Sequence, residues 1–378
     1  MELYDHRNPL FTKWVVAENL LHEPFVLIDV GCQGGVNARW EYLGRYLEFH
    51  GFDPIPEVID SLRRDNADRP NNHYHELGLG NEDGRRLFHV QPDTYSSSFF
   101  GAAEASSGQT GQVTLGSREV AIRKLDSLHA EKQIPPADHI KLDCEGFEPE
   151  VLIGARQYMQ DSGVLSAMVE TNFQTSPVFP QTHFHAVLSE MLKHRLMVAD
   201  YSFERVPRPG YAQALGQAPW PAREMRCENP HFLPGAPATH NFLFCRDFTA
   251  EATRPEDYAP DSGVPLTADR IIKAMINFEL HGLMDRAYAH AETFGHLLKD
   301  RLDVDKAKQL LLAPPGELRY SPDLVSCLQM INQLRVLLNA CESRVPPLLE
   351  RLQAYESRAQ PLLERLERRL RSIFGRFR

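Results

Sequence analysis

The chain reads as an α/β protein, a mostly parallel sheet followed by a helical C-terminal extension. Three observations predict this. Short apolar runs alternate with stretches of helical periodicity from residue 25 to about residue 170. Two of those runs end in glycine-rich or acid-rich loops, as strands do where an open α/β sheet meets its ligand. From about residue 265 onward the apolar residues recur at helical spacing alone.

Taken in order, Leu10, Trp14, Val15, Leu20 and Leu21 predict an amphipathic N-terminal helix over 10–22 within a leading segment 1–24. Strand 25–30, a helix around 36–45, strand 46–52, a helix near 55–65 and a strand around 73–79 follow. After a Ser-rich irregular stretch, Asp93 to Gly111, come a strand at Glu119–Ile122 and a helix from Leu125. Strand 139–143, helix 148–159, strand 164–170, helix 183–194 and a strand at Met197–Tyr201 complete the alternation. A proline-rich excursion, 206–240, separates that strand from Asn241–Cys245. Two late strands joined by a long loop suit an antiparallel hairpin on a parallel sheet. The loop itself reads as a lid or as a surface insertion. The boundaries are thus a central domain over 25–250 and a helical region over 251–378. Near the end, Pro347–Leu352 is echoed at Pro361–Leu366. The fourteen-residue step is two heptads and suits an oligomerising helix, although its prolines interrupt a continuous coil.

Size and charge narrow the class. A chain of 378 residues, 42% of them hydrophobic, holds one large domain or two ordinary ones. No apolar run reaches the roughly 18 residues of a membrane span, and Met1–Asp5 lacks the pattern of a secretory signal. The six cysteines form no Cys-x-x-Cys pair, which favours a reducing compartment. A cytoplasmic location is the expectation. A net charge of −10 argues against general nucleic-acid binding. The tail departs from that balance, with six arginines from Arg365 to Arg378 interleaved with Ile373, Phe374 and Phe377. It reads either as a peripheral contact with the inner membrane surface or as a solvated terminus.

Two junctions carry the chemistry. The first is Asp29-Val30-Gly31-Cys32-Gln33-Gly34-Gly35, an acid and a glycine-rich turn directly after a strand. Glycine lets backbone approach a ligand closely. The spacing is neither G-x-G-x-x-G nor a P-loop, which argues against a nicotinamide oxidoreductase. Asp53 closes the next strand, close to the roughly 20 residues expected of an acid that binds ribose hydroxyls. The second junction is Ile140-Lys141-Leu142-Asp143-Cys144-Glu145-Gly146-Phe147-Glu148, three carboxylates between a strand and a helix. They read as a site for a proton, a cation or a polar substrate, or as acids suited to a helix dipole.

Together these motifs resemble the FkbM family of S-adenosylmethionine-dependent methyltransferases over residues 25–248. The resemblance rests most on Ile140–Glu148 with Val151-Leu152-Ile153-Gly154-Ala155. It rests further on the glycine loop, Phe52-Asp53-Pro54, Leu77–Gly84, Ser96–Phe99 and Leu125–Leu128. The family's first loop often has Ala-Asn where Cys32-Gln33 stand here, and its second-strand acid is usually Glu where Asp53 stands.

The resemblance implies a class I methyltransferase, Rossmann-like sheet of seven strands with the last antiparallel. It implies S-adenosylmethionine held by Asp29, Gly31, Cys32, Gln33, Gly34, Gly35, Asp53, Leu77 and Gly78, with Asp143 beside the transferred methyl. It also implies O-methylation of a sugar, glycan or glycosylated natural product. N-methylation, or a non-catalytic scaffold in a glycan-assembly complex, are the alternatives. A hydroxyl acceptor must lose its proton, so Asp143, Glu145 and Glu148 are candidate bases. Alternatively Asp143 joins Glu170 and Asn172 around a divalent ion, magnesium or calcium over zinc by its oxygen-only ligands. Tyr95 and Ser96 to Ser98 read as acceptor-pocket residues or as an ordinary polar loop. His183 and His185 read as surface or capping residues, or as an acceptor-side base.

Overall fold

A computed structural model describes residues 8–91, 94, 97–100, 116–172, 183–206, 236–251 and 264–312. Of residues 172, 203–206, 236–240 and 251 it describes the backbone alone. Tyr95, Ser96, most of the proline-rich excursion, the repeated Pro-Leu-Leu-Glu-Arg-Leu segments and the arginine-rich tail lie outside the described residues.

The centre is a seven-stranded sheet. In chain order its strands are β1 Phe25–Val30, β2 Leu47–Asp53, β3 Asn72–Glu76, β7 His139–Leu142, β8 Ser166–Asn172, β9 Met197–Val206 and β10 Ala236–Cys245. Their order across the sheet is β3-β2-β1-β7-β8-β10-β9. The pairs among β1, β2, β3, β7 and β8 are parallel, and β10 runs antiparallel to both β8 and β9. The late hairpin expected from sequence is therefore present. The chain winds outward from β1 through β2 to β3, then returns to the other side of β1 as β7. That reversal opens a crevice at the carboxyl ends of β1 and β7.

Both faces of the sheet are covered, so the strand residues divide by their alternation. Phe25, Leu27 and Phe49 enter one apolar cluster with Phe11, Val15, Trp40, Ile271, Met275 and Phe278. Val26, Ile28, Val30 and Phe52 enter the other, with Phe147, Val151, Tyr158, Ala167 and Val169.

The N-terminal helix, α1 Leu10–Ala17, is shorter than its sequence pattern. Asn19 adopts φ of 56° just beyond it, a left-handed conformation that stops the helix and that asparagine tolerates. The expected strand over 73–79 breaks in two at Leu77, whose N–H donates to the Asp53 carbonyl at 3.1 Å. Beyond the break, β4 Gly78–Leu79 joins β5 Gly84–Val90 and β6 Gly116–Arg123 in a second sheet of order β4-β6-β5. Strand β5 gave no alternating signal in the sequence because Phe88 is its one buried residue.

The expected helix over 148–159 is likewise two helices, Glu148–Ile153 and Arg156–Ser162. A Cβ at Gly154 would run into the Gly80 carbonyl, so glycine lets the two chain segments meet. The Asp126 carboxylate accepts the Tyr158 N–H at 2.7 Å and caps the helix Arg156–Ser162. Asp83 accepts from Lys124 N–H at 2.9 Å and from the Ser127 hydroxyl at 2.6 Å, capping the helix Leu125–Ala130. The runs Leu77–Gly84 and Leu125–Leu128 thus interlock as a structural clasp behind the crevice.

The helix Ala268–Leu280 is buried along nearly its whole length, and its polar residues are all engaged, as burial demands. Arg270 donates to the Ser162 and Gly163 carbonyls at 3.2 and 2.7 Å. The Lys273 ammonium donates at 3.0 Å to Asp138, which also accepts the Val26 N–H of β1 at 2.8 Å. The Glu279 carboxylate accepts the Phe11 and Thr12 N–H groups and the Thr12 hydroxyl, at 2.9, 2.7 and 2.7 Å. A helix late in the chain therefore caps the first one. Glu279→Ala leaves those donors buried without a partner. It should lower the unfolding free energy by about 1–3 kcal/mol in chemical denaturation; an unchanged midpoint would show that Glu279 does not hold α1.

Candidate active site

The crevice is built from the ends of four strands. Asp29 is the fifth residue of β1 and is buried. Gly31 follows at φ of 79°, and a Cβ there would strike the backbone carbonyl of Asp143. Only glycine lets the β1 loop lie against the β7 loop in this way. The loop is anchored to β2, with the Gly31 and Cys32 N–H groups donating to the Phe52 carbonyl at 2.9 and 3.3 Å. The Gly35 N–H donates to the Cys32 carbonyl at 2.8 Å, closing a tight turn.

The glycine-loop side chains diverge. The Cys32 thiol turns into the core beside Phe49, and burial raises its pKa well above the ordinary thiol value. Gln33 lines the crevice, with its amide donating to the Thr94 hydroxyl at 2.8 Å. Gly34 has open space where a side chain would be. Asp53, Leu77, Gly78, Phe52, Ile55 and Leu79 also line the crevice, a carboxylate beside an apolar slot. One Asp53 oxygen accepts the Ile55 N–H at 2.8 Å. Burial lifts the Asp53 pKa to about 6 despite that bond.

An electrostatic cluster adjoins this wall. In the parallel register Asp29 pairs with Lys141, and Asp143 lies two residues further on the same side. The Lys141 ammonium is 3.2 Å from Asp29 and 3.3 Å from Asp143. Burial works against its charge, but the two carboxylates outweigh it and raise its pKa. Burial lifts Asp29 to about 6 although Lys141 pulls the other way. Burial also favours neutral Asp143, but Lys141 and a hydrogen bond with Glu170 prevail and hold its pKa below the usual carboxylate value. Glu170 is pushed far up by burial and then by the charges of Asp143 and Glu145. Glu170 therefore carries the proton and donates it to ionised Asp143.

One carboxylate oxygen from each of Asp143, Glu145 and Glu170 lies within 4.8 Å of the others. Of the sequence candidates, these three converge. Glu145 adopts φ of 56°, and its carbonyl accepts the Ser98 hydroxyl at 3.0 Å. Glu148 points elsewhere. It is buried, accepts the Cys144 N–H at 2.7 Å and pairs with His183 at 2.9 Å. His183 is correspondingly buried and not on the surface. The Asn172 backbone ends β8 opposite Thr239, and its side chain lies outside the described residues. Lys141 has no role in the sequence reading. Its position two residues before Asp143, on the same side of one strand, is the signal that marks it.

Residues 29–199 match the family model described as the methyltransferase FkbM domain. This region is an FkbM methyltransferase domain. The order of its sheet, with the last strand antiparallel between its neighbours, is that of a class I methyltransferase. Solved structures similar to the chain include a methyltransferase FkbM from Methylobacillus flagellatus, at 14% identity and a TM-score of 0.32. That match covers 61% of this chain and 47% of that one, so the chain spans about half the length of the Methylobacillus protein. Another is the O-methyltransferase of a trans-AT polyketide synthase multienzyme from Brevibacillus brevis, in complex with S-adenosyl-L-homocysteine. It is 11% identical, with 77% and 83% of the two chains covered and a TM-score of 0.31. A third is phosphoethanolamine N-methyltransferase 2 of Haemonchus contortus in complex with S-adenosyl-L-methionine, at 9% identity, 63% and 52% coverage and a TM-score of 0.29. No curated protein matches the sequence. Among the described residues no helix is long and apolar enough to cross a membrane.

The raised pKa of Asp53 in the FkbM domain has a consequence for stability. Folded Asp53 holds its proton up to about pH 6, whereas an aspartate in the unfolded chain loses it near 3.8. Its contribution to stability is therefore complete below about pH 4 and is lost as pH rises through about 6. Asp53→Asn keeps an oxygen for the Ile55 N–H and has no charge to bury. In urea denaturation it should remove Asp53's share of that slope and gain about 2–3 kcal/mol over wild type near pH 7. A parallel pH dependence in the two proteins would contradict this.

Proposed function

We propose that the crevice binds S-adenosylmethionine and that the domain methylates a hydroxyl group, on a sugar, a glycan or a glycosylated natural product. The observation that carries the reading is the position of ionised Asp143, beside protonated Glu170, in the wall of the crevice that Gly31 and Asp53 also line.

The residues suit that cofactor. Gly31 leaves backbone bare where the β1 and β7 loops meet. Asp53 presents a carboxylate at the end of β2, and ribose hydroxyls donating to it would offset the cost of burying its charge. Ile55, Leu77 and Leu79 offer the apolar walls that a flat base requires. Asp29 and the carbonyls of the glycine loop suit an ammonium group. Bound there, S-adenosylmethionine would supply an electrophilic methyl group on a sulfonium.

The chain's own contribution is orientation and a proton acceptor. Asp143 is held ionised by Lys141 and by the hydrogen bond from Glu170, and it takes the proton of the acceptor hydroxyl. Glu170 keeps its proton and fixes the Asp143 carboxylate. Reliance on positioning and one base suits a displacement in which alignment supplies much of the rate.

A second reading comes from the convergence of Asp143, Glu145 and Glu170. Their oxygen-only set would suit a magnesium ion, which would there take up charge developing on the acceptor oxygen. Chelation distinguishes the two, because a carboxylate base is indifferent to EDTA.

Calorimetry should show binding of S-adenosylmethionine and its demethylated product to wild type, weakened by about 1–3 kcal/mol in Asp53→Ala. Wild type that binds neither would sink the methyltransferase proposal. Product analysis with candidate hydroxyl and amine acceptors separates O- from N-methylation. With an acceptor in hand, Asp143→Asn should retain cofactor affinity and lose about 10²–10⁴-fold in turnover. Wild-type turnover in that variant would remove Asp143 from both the base and the metal roles.

A further inference from the structure

A second group of ligating side chains lies on β2 and β3, away from the crevice. Glu48 and His50 alternate with Phe49 along β2 and so share one face with Phe52. The parallel register places His73 beside His50, and His75 beside Phe52. The His50 and His73 rings are 4.6 Å apart between centroids. His50 Nε2 is 3.3 Å from Glu48 Oε1, and His50 Nδ1 is 3.2 Å from His75 Nε2. One ligand atom from each of Glu48, His50 and His73 falls within 4.8 Å of the other two. An open cavity adjoins them, lined also by His75, His129 and the segment 132–136.

We propose that Glu48, His50 and His73 form a binding site for a divalent transition-metal ion, zinc by the chemistry of the donors. Two imidazoles and one carboxylate suit zinc and its neighbours, whereas magnesium and calcium take oxygen-only sets. Ligand atoms of a tetrahedral ion with bonds of about 2.0–2.2 Å lie about 3.3–3.5 Å apart. Glu48 and His50 already stand at that separation. His73 is exposed on the edge strand, so its ring is free of core packing and can close the third position. The fourth faces the cavity and water.

The surroundings also suit a ligating imidazole. With Nε2 on the metal, His50 carries its proton on Nδ1 and donates it to His75 Nε2, the outer hydrogen bond that orients a metal-bound histidine. Phe52 stacks on His75 at 4.4 Å between centroids and fixes that partner. The ion would staple the edge strand β3 to β2 upstream of Asp53, and binding to the folded state alone would stabilise it.

The test uses the full chain, stripped with a chelator, desalted and titrated with zinc chloride by calorimetry and with cobalt chloride by visible absorption. Wild type should bind one equivalent of zinc more than His73→Ala, or bind that equivalent at least about tenfold more tightly. Cobalt should give wild type the intense visible bands of a tetrahedral ion, and His73→Ala should lack them. Zinc should raise the melting temperature of wild type more than that of His73→Ala. The exposed position of His73 keeps the variant folded, which circular dichroism checks. Glu170→Gln, which alters the acidic cluster in the crevice, should retain the zinc equivalent. Equal zinc binding by wild type and His73→Ala, no zinc bound by wild type, or loss of the equivalent in Glu170→Gln in place of His73→Ala would each overturn the proposal.

Discussion

The Lys141 ammonium holds the candidate active site together. It stands between Asp29 on β1 and Asp143 at the end of β7, at 3.2 and 3.3 Å. Without it, two carboxylates would face one another at the centre of a largely buried crevice, where like charges cannot both be sustained. It holds Asp143 ionised, while burial pushes Asp29 up and burial with the neighbouring carboxylates keeps the proton on Glu170. The pair Asp143–Glu170 thus has an acceptor and a donor defined before any ligand arrives. Four side chains on three adjacent strands act as one titrating unit, and the apparent pKa values belong to the group.

Close backbone approach is the second constraint. Gly31 brings the β1 and β7 loops into contact, and Gly154 does the same for the segment at Gly80. The first contact shapes the crevice, and the second shapes the clasp behind it. This divides the sequence motifs by their work. Asp83 and Asp126 cap helices, and Glu148 binds the backbone of the turn that carries Asp143. Acids of the same type, a few residues from the site, serve its geometry and do not touch its contents.

The C-terminal helices belong to the same physical argument. The helix Ala268–Leu280 supplies Ile271, Met275 and Phe278 to one face of the central sheet. Its Lys273 reaches Asp138, which binds the first residues of β1 in turn. The base of the strand that carries Asp29 is therefore fixed by a side chain more than a hundred residues away in sequence. Removing one partner of a buried ion pair of this kind is costly, because it leaves the other charge buried and uncompensated.

The sequence by itself determined the alternation of strands and helices, the reversed hairpin at the end of the sheet, and the two loops that bound the crevice. Each follows from local pattern: apolar runs of strand length, glycines that bare the backbone, and acids at strand ends. It did not determine the second sheet, since β5 has one buried residue and no alternation to read. Nor did it separate Asp143 and Glu145 from Glu148, because three neighbouring carboxylates look alike until the turn at φ of 56° sends them in different directions. The pairing of Lys141 with Asp29, of Glu170 with Asp143 and of His50 with His73 came from strand register, which depends on how distant segments pack. Residue types and spacing fix which groups stand at a strand's end, and only the sheet decides which of them meet across it.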